Sequence, residues 1–231
     1  MGLGTNASSY IPRLRVGVTN DEKGRKKSII GMKCDADTPG AQEVYKKDGT
    51  AATDKDGRQV YRLEFDFIEG LITGMERVDQ DFGQFLEVTI EDGSDKWILQ
   101  LTRGSRYWTD LCLRLPMVNL NRNVRLSPYS IENADGKYNQ GIAIRQDGEK
   151  VDRKWSQANG YEGGPPQAEY DEDEAKWMFG KRNRWIDENV VDPAIEKVQK
   201  LYSVSAPVAK VAASADDDLP NEEEESDDLP F

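Results

Sequence analysis

The sequence predicts a mainly β fold, five strands with one helix after the third, and three observations carry that reading. Short runs in which apolar and polar residues alternate recur between residues 59 and 146, the spacing of strands with one buried face. A single stretch, 104 to 115, changes to intervals of three and four. Asp-Gly pairs at 92–93 and 135–136 supply turns of the kind that joins antiparallel strands.

Taken in order, residues 10 to 18 (YIPRLRVGV) put Leu14, Val16 and Val18 on one side and Arg13 and Arg15 on the other, a short strand with a basic outer face. A charged loop containing Lys26 and Lys27 leads to a second short run at 28 to 32. Residues 35 to 59 are rich in Asp, Gly, Thr, Ala and Lys without periodicity, and read as a long loop. In VYRLEFDFI the large residues Tyr61, Leu63, Phe65 and Phe67 fall on one side. LITGMERV continues the strand after Gly70, and its interior Gly74 marks a bulge or bend. QFLEVTIED turns Leu86, Val88 and Ile90 inward and leaves Phe85, Glu87 and Thr89 outside. Its hairpin partner DKWILQLT has Trp97, Leu99 and Leu101 on the core face. Tyr107, Trp108, Leu111, Cys112 and Leu115 then make one amphipathic helix that Pro116 ends. NVRLSPYSI and NQGIAIRQ return to alternation. Three strands, a helix and two strands, with the first strand bent at a glycine, predict a five-stranded Greek-key barrel of the oligonucleotide/oligosaccharide-binding (OB) type. An immunoglobulin-like sandwich needs about seven strands and no such helix.

This domain covers 1–155, with an N-terminal extension and the loop 35–59. Gly, Pro and Ser mark 156–170 as a linker. Residues 171–202 read as helical: acids precede KRNR in a first helix over 171 to 191, and Asp192-Pro193 starts a second with Ile195, Val198 and Leu201 as its apolar stripe. Residues 203–231 read as a disordered acidic tail. From Ser205 onward nine acids against Lys210 give −8, and the preceding residues hold 34 acids and 30 bases, or −4. Two thirds of the net charge of −12 therefore sits on a segment too polar to fold, so a polyanion partner for the rest is compatible with the total.

Several chemistries are disfavoured. The chain has no histidine and two cysteines, Cys34 and Cys112, so a zinc site or a nucleophile–histidine pair lacks its parts. Glu64 with Asp66, and Asp79 with Asp81, have the spacing of a magnesium site, which is also commonplace at this charge density. The expectation is a protein without catalytic residues, metal or cofactor. With no leader and no apolar run of membrane length, a cytoplasmic location in a bacterial or phage-infected cell, away from membranes, is expected.

Single-stranded nucleic acid is bound by aromatic faces that stack on bases and cations that follow the phosphates. Phe85, Tyr129 and Tyr138 are the candidate platforms. Arg62, Arg77, Lys96, Arg122, Arg125, Arg145, Lys26 and Lys27 are the candidate phosphate contacts. The alternatives are an acidic module that binds basic proteins or mimics DNA, and an accessory nuclease or ligase-like OB enzyme.

The tail repeats itself: Asp217-Asp218-Leu219-Pro220 recurs as Asp227-Asp228-Leu229-Pro230, followed by Phe231. Here the chain resembles the single-stranded DNA-binding proteins of bacteria and their phages. The resemblance is close over the last five residues, while over the barrel it rests on the order of elements. It implies a protein that coats single-stranded DNA in replication, recombination and repair and recruits other proteins by its tail. Phe231 would be the anchor, shaped by Leu229 and Pro230, with Asp227 and Asp228 steering toward a basic rim. The same tail would compete with DNA for the groove. The family's tetramers make a homo-oligomer a further expectation.

Overall fold

The structure is a computed structural model and describes residues 11–20, 26–46, 50–156, 160–171 and 176–202. The acidic tail with Asp227, Asp228, Leu229, Pro230 and Phe231 lies outside the described residues.

Long alternating runs favour ladders, and ten strands join one mixed sheet. They are β1 (Arg13–Asn20), β2 (Lys26–Cys34), β3 (Gln42–Glu43), β4 (Tyr61–Phe65), β5 (Ile68–Gln80), β6 (Gly83–Asp92), β7 (Asp95–Thr102), β8 (Val124–Glu132), β9 (Tyr138–Gln146) and β10 (Glu149–Val151). Their order in space is β10-β9-β8-β5-β6-β7-β1-β2-β4-β3. β1 runs parallel to β7, with Leu14 opposite Leu99 and Arg15 opposite Gln100. β11 (Glu169–Asp171) and β12 (Lys176–Met178) form a separate two-stranded antiparallel sheet, and the α-helices among the described residues are α1 (Arg106–Arg114), α2 (Gly180–Ile186) and α3 (Asp192–Tyr202).

The bend in β5 organises the centre. Its first residues pair with β8, Ile68 facing Leu126, and its later ones with β6, Gln80 facing Gly83. The register slips between Ile72 and Gly74, as the interior glycine foretells. A Cβ at Gly74 would sit 2.7 Å from Thr89 Oγ1, so only glycine allows this approach. Ile72, Leu86, Val88, Ile90, Leu99, Leu101, Leu126, Ile142 and Ile144 then meet in one core. Ser105 caps α1 by accepting from the Trp108 amide at 3.2 Å, and the helix sends Trp108, Leu111 and Cys112 into that core. Each such side chain contributes about 1.5–3 kcal/mol on burial.

The expected closure is corrected: no closed barrel is found among the described residues. β1 takes the free edge of β7 and passes the sheet on to β2, β4 and β3, which extends it where a closing strand would have paired. Side chains still draw the flank inward. The Ser28 hydroxyl on β2 donates to the Tyr129 carbonyl at 2.9 Å and shares a 2.7 Å hydrogen bond with the Tyr107 hydroxyl.

Other expectations change as well. The described part of 35–59 is folded, with β3, the bridges Tyr45–Ala51 and Thr53–Gln59, and a buried Ala52. The run from 61 to 67 is not one strand: β4 ends at Phe65, and Phe65 and Phe67 are exposed. The segment read as a linker packs at its described ends, where Trp155 lies so close over Gly164 that a Cβ would meet its ring at 2.6 Å. Where it is described, the first half of the helix expected over 171 to 191 is strand, Asp171 ending β11 and Lys176–Met178 forming β12, and Tyr170 and Trp177 pair edge to face across the strands. α2, the π-helical turn Asp187–Val191 and α3 then follow without a break. α3 lies along β5, tied by Arg77 to Asp192 at 2.7 Å and by the Tyr202 hydroxyl donating to the Leu120 carbonyl.

Candidate nucleic-acid interface

Alternation along β6 and β7 gives the sheet a second face, opposite the core. Glu87 on β6 faces Gln100 on β7, which faces Arg15 on β1. The side chains connect in that row: Arg15 Nε donates to Gln100 Oε1 at 2.7 Å, Gln100 Nε2 donates to Glu87 Oε1 at 3.0 Å, and Arg13 Nε donates to the same oxygen at 3.3 Å. Glu87 is 2% exposed, and its Oε2 has no partner among the described residues. Lys33 and Arg62 continue the face on β2 and β4, where Arg62 pairs with Glu64 at 2.8 Å.

Phe85 is corrected as a stacking platform. It stands on this outer face as alternation requires, outside the core cluster, yet is only 8% exposed. Phe82, in the β5–β6 turn, packs its ring against Phe85 at 5.5 Å and 64°. Phe82 itself is 51% exposed, and the Arg15 guanidinium lies 5.7 Å from its ring centre. The sequence contained that signal: a phenylalanine in a two-residue turn between strands has no core to fill. Below the hairpin a cleft of about 350 Å³ runs between Arg77, Asp79, Gln84, Phe85, Arg103 and Asp187.

Tyr129 is occupied otherwise. Its hydroxyl donates to Asp110 Oδ2 at 2.9 Å, and that oxygen also accepts the Ile142 amide at 3.0 Å. Asp110 Oδ1 accepts from Arg114 Nε at 3.1 Å and Arg153 Nε at 2.6 Å. Gly141 makes room, since a Cβ there would collide with Asp110 and the Tyr129 hydroxyl. Burial, with the Asp110 charge adding to it, pushes the Tyr129 phenol above its ordinary range. Tyr138 is half-buried; Lys26 Nζ lies 5.7 Å from its ring centre, its hydroxyl donates to Glu132, and its carbonyl accepts from Arg106.

Most cations singled out from the sequence have carboxylate partners. Lys27 pairs with Asp66 at 3.0 Å, Lys96 with Glu91 at 2.6 Å, Arg125 with Glu69 at 2.6 Å, and Arg122 with Asp147. Arg125 also covers the exposed Phe67 at 4.2 Å, and Arg145 donates to the Gly148 carbonyl. These residues are spread over both faces and both ends of the sheet and do not converge on one groove. Sequence reasoning missed Phe82 and Arg103, and treated Arg13 and Arg15 only as the basic side of a strand. No protein-family model, curated protein or solved structure matches the chain.

Proposed function

We propose that the protein is a non-enzymatic binder of single-stranded DNA in replication, recombination or repair, with β5, β6, β7, α1, β8 and β9 as an OB-type core and the outer face of β6, β7 and β1 as the contact surface. The observation that carries this reading is the exposed Phe82 ring with the Arg15 guanidinium beside it. Bases stack on such a ring whatever their identity, and Arg13, Arg15, Lys33 and Arg62 follow the phosphates with little sequence preference. The ion pairs elsewhere are compatible with this, because exposed pairs contribute about 0–1 kcal/mol and a cation exchanges such a partner for phosphate at little cost. The acidic tail, by its resemblance to the family's, recruits partner proteins and competes for the same surface.

Titrating labelled oligo-dT with the full chain and with a chain ending at residue 204 tests the proposal. Binding that weakens with salt, and tightens on removal of the tail, is expected. Failure of both forms to bind removes it. The abundance of carboxylate partners favours a second reading, an acidic surface for basic proteins. That protein would retain a cationic protein such as lysozyme on a column and ignore oligo-dT.

A further inference from the structure

Among the described residues Arg182 is the arginine with a buried donor left unmet. It lies on α2, partly buried, and makes no hydrogen bond or ion pair among the described residues; its Nε is sealed from solvent with no acceptor in reach. A guanidinium cannot shed its proton to escape this, since it stays charged at any pH a protein meets. A desolvated charge without a counter-charge is among the costlier arrangements a fold can hold. The surroundings deepen the imbalance. Burial disfavours the charged form of Arg182, and although Tyr161 supports it, Arg153 stands close enough to oppose it.

The position is fixed. Trp185, one turn along α2, packs on Trp155 at 5.1 Å and 83°, which joins the helix to the segment carrying Arg153 and Lys154. Asn183 sits over Gly104, where a Cβ would lie 2.7 Å from its Nδ2, so α2 is also held against the entry to α1. Arg153 is anchored by Asp110 with its side chain one third exposed, and Lys154 Nζ lies 4.7 Å from the Trp155 ring centre. Arg182 and Arg153 therefore lie beside the elements joined by the Trp155–Trp185 pair, and Arg182 has donors without a partner among the described residues.

We propose that Arg182, with Arg153 beside it, is an oxyanion subsite that takes a backbone phosphate of the bound strand. This rests on the single-stranded DNA reading above. The planar fork of a guanidinium matches two phosphate oxygens, and the missing counter-charge arrives with the ligand.

The full-length protein and Arg182→Gln, Arg182→Lys and Arg184→Gln variants are titrated with oligo-dT over a range of salt, after melting curves establish that each is folded. Removing one phosphate contact lowers the slope of log K against log salt by about 0.7 and weakens binding roughly fivefold at 0.1 M salt. Arg182→Gln should show both changes. Arg182→Lys, which keeps the charge, should recover most of the slope, and the exposed Arg184→Gln should change little. Unchanged slope and affinity in Arg182→Gln, with normal binding by the parent, overturns the subsite and leaves the general reading intact. If no form binds DNA, the general reading fails, and the subsite is judged by the Arg182 Nε resonance under inorganic phosphate: a saturable shift supports it, none overturns it. Loss of an existing perturbation of that resonance on deleting residues 205–231 would assign the counter-charge to the tail and also overturn the phosphate proposal.

Discussion

Two carboxylates, Asp110 and Glu87, each hold an arginine from a distant part of the chain, Asp110 with Arg153 as well as the nearby Arg114 and Glu87 with Arg13, and they do so to different ends. Asp110 on α1 is enclosed, and both its oxygens are used by Arg114, Arg153, the Tyr129 hydroxyl and the Ile142 amide. Glu87 on the outer face uses one oxygen for Arg13 and Gln100 and leaves the other without a partner among the described residues. The first arrangement ties α1, β8, β9 and the 153–155 segment into one piece. The second holds Arg13 directly, and Arg15 through Gln100, in a row on the outer face of the sheet. A carboxylate with both oxygens used is a lock, and one with an unused oxygen is a looser rack that positions cations on an open face.

The largest expected effect lies at the lock. Asp110→Ala leaves the buried Arg114 and the partly exposed Arg153 guanidinium groups without their counter-charge and should lower unfolding free energy by about 3–5 kcal/mol, read from urea melts. A loss under 1 kcal/mol would show that Asp110 is not the hub its contacts suggest. Next comes the ring beside the rack. Phe82→Ala should weaken oligo-dT binding by about 1–3 kcal/mol with little change in melting temperature. Phe85→Ala separates the two aromatics, because emptying a buried site lowers stability by about 3–5 kcal/mol, so its main effect should be on folding.

Glu87→Gln is a smaller and sharper test of the contrast. Neutralising this carboxylate frees Arg13 toward phosphate, so oligo-dT affinity should rise roughly fivefold with a steeper salt slope. Weaker binding would mean that Glu87 orders the cations more than it neutralises them. The smallest effect concerns Glu91, whose hydrogen bond from Lys96 holds its carboxyl below the usual carboxylate range. A lowered folded-state value stabilises the protein above the ordinary carboxylate range, and the gain is lost as pH falls through the folded value. Both groups are well solvated, so Glu91→Gln should remove less than about 1 kcal/mol at neutral pH and nothing at pH 2.

Much of the central fold was legible because β5 to β9 and α1 carry strong periodicity. The bulge at Gly74, the hairpin turn at Asp92-Gly93 and the helix before Pro116 all appear where local chemistry places them. The site was legible only in part. Alternation correctly turned Phe85 away from the core cluster, yet it carries no information about the neighbour that covers the outward face, which is Phe82. It likewise offered Tyr129 as a stacking platform and could not foresee Asp110, nineteen residues away, as the acceptor for its hydroxyl.

By itself the sequence determined the β-rich character, the strand spacing, the interior glycine and the concentration of negative charge in the last residues, because these depend on neighbours within a few positions. Only the tertiary structure decided that β1 would take the edge of β7 and leave the sheet open, that most candidate cations would find carboxylates, and that Arg182 would be partly buried without one among the described residues. Those outcomes depend on which residues far apart in the chain meet across strands, and pairing, desolvation and exposure are properties of the meeting, not of either residue alone.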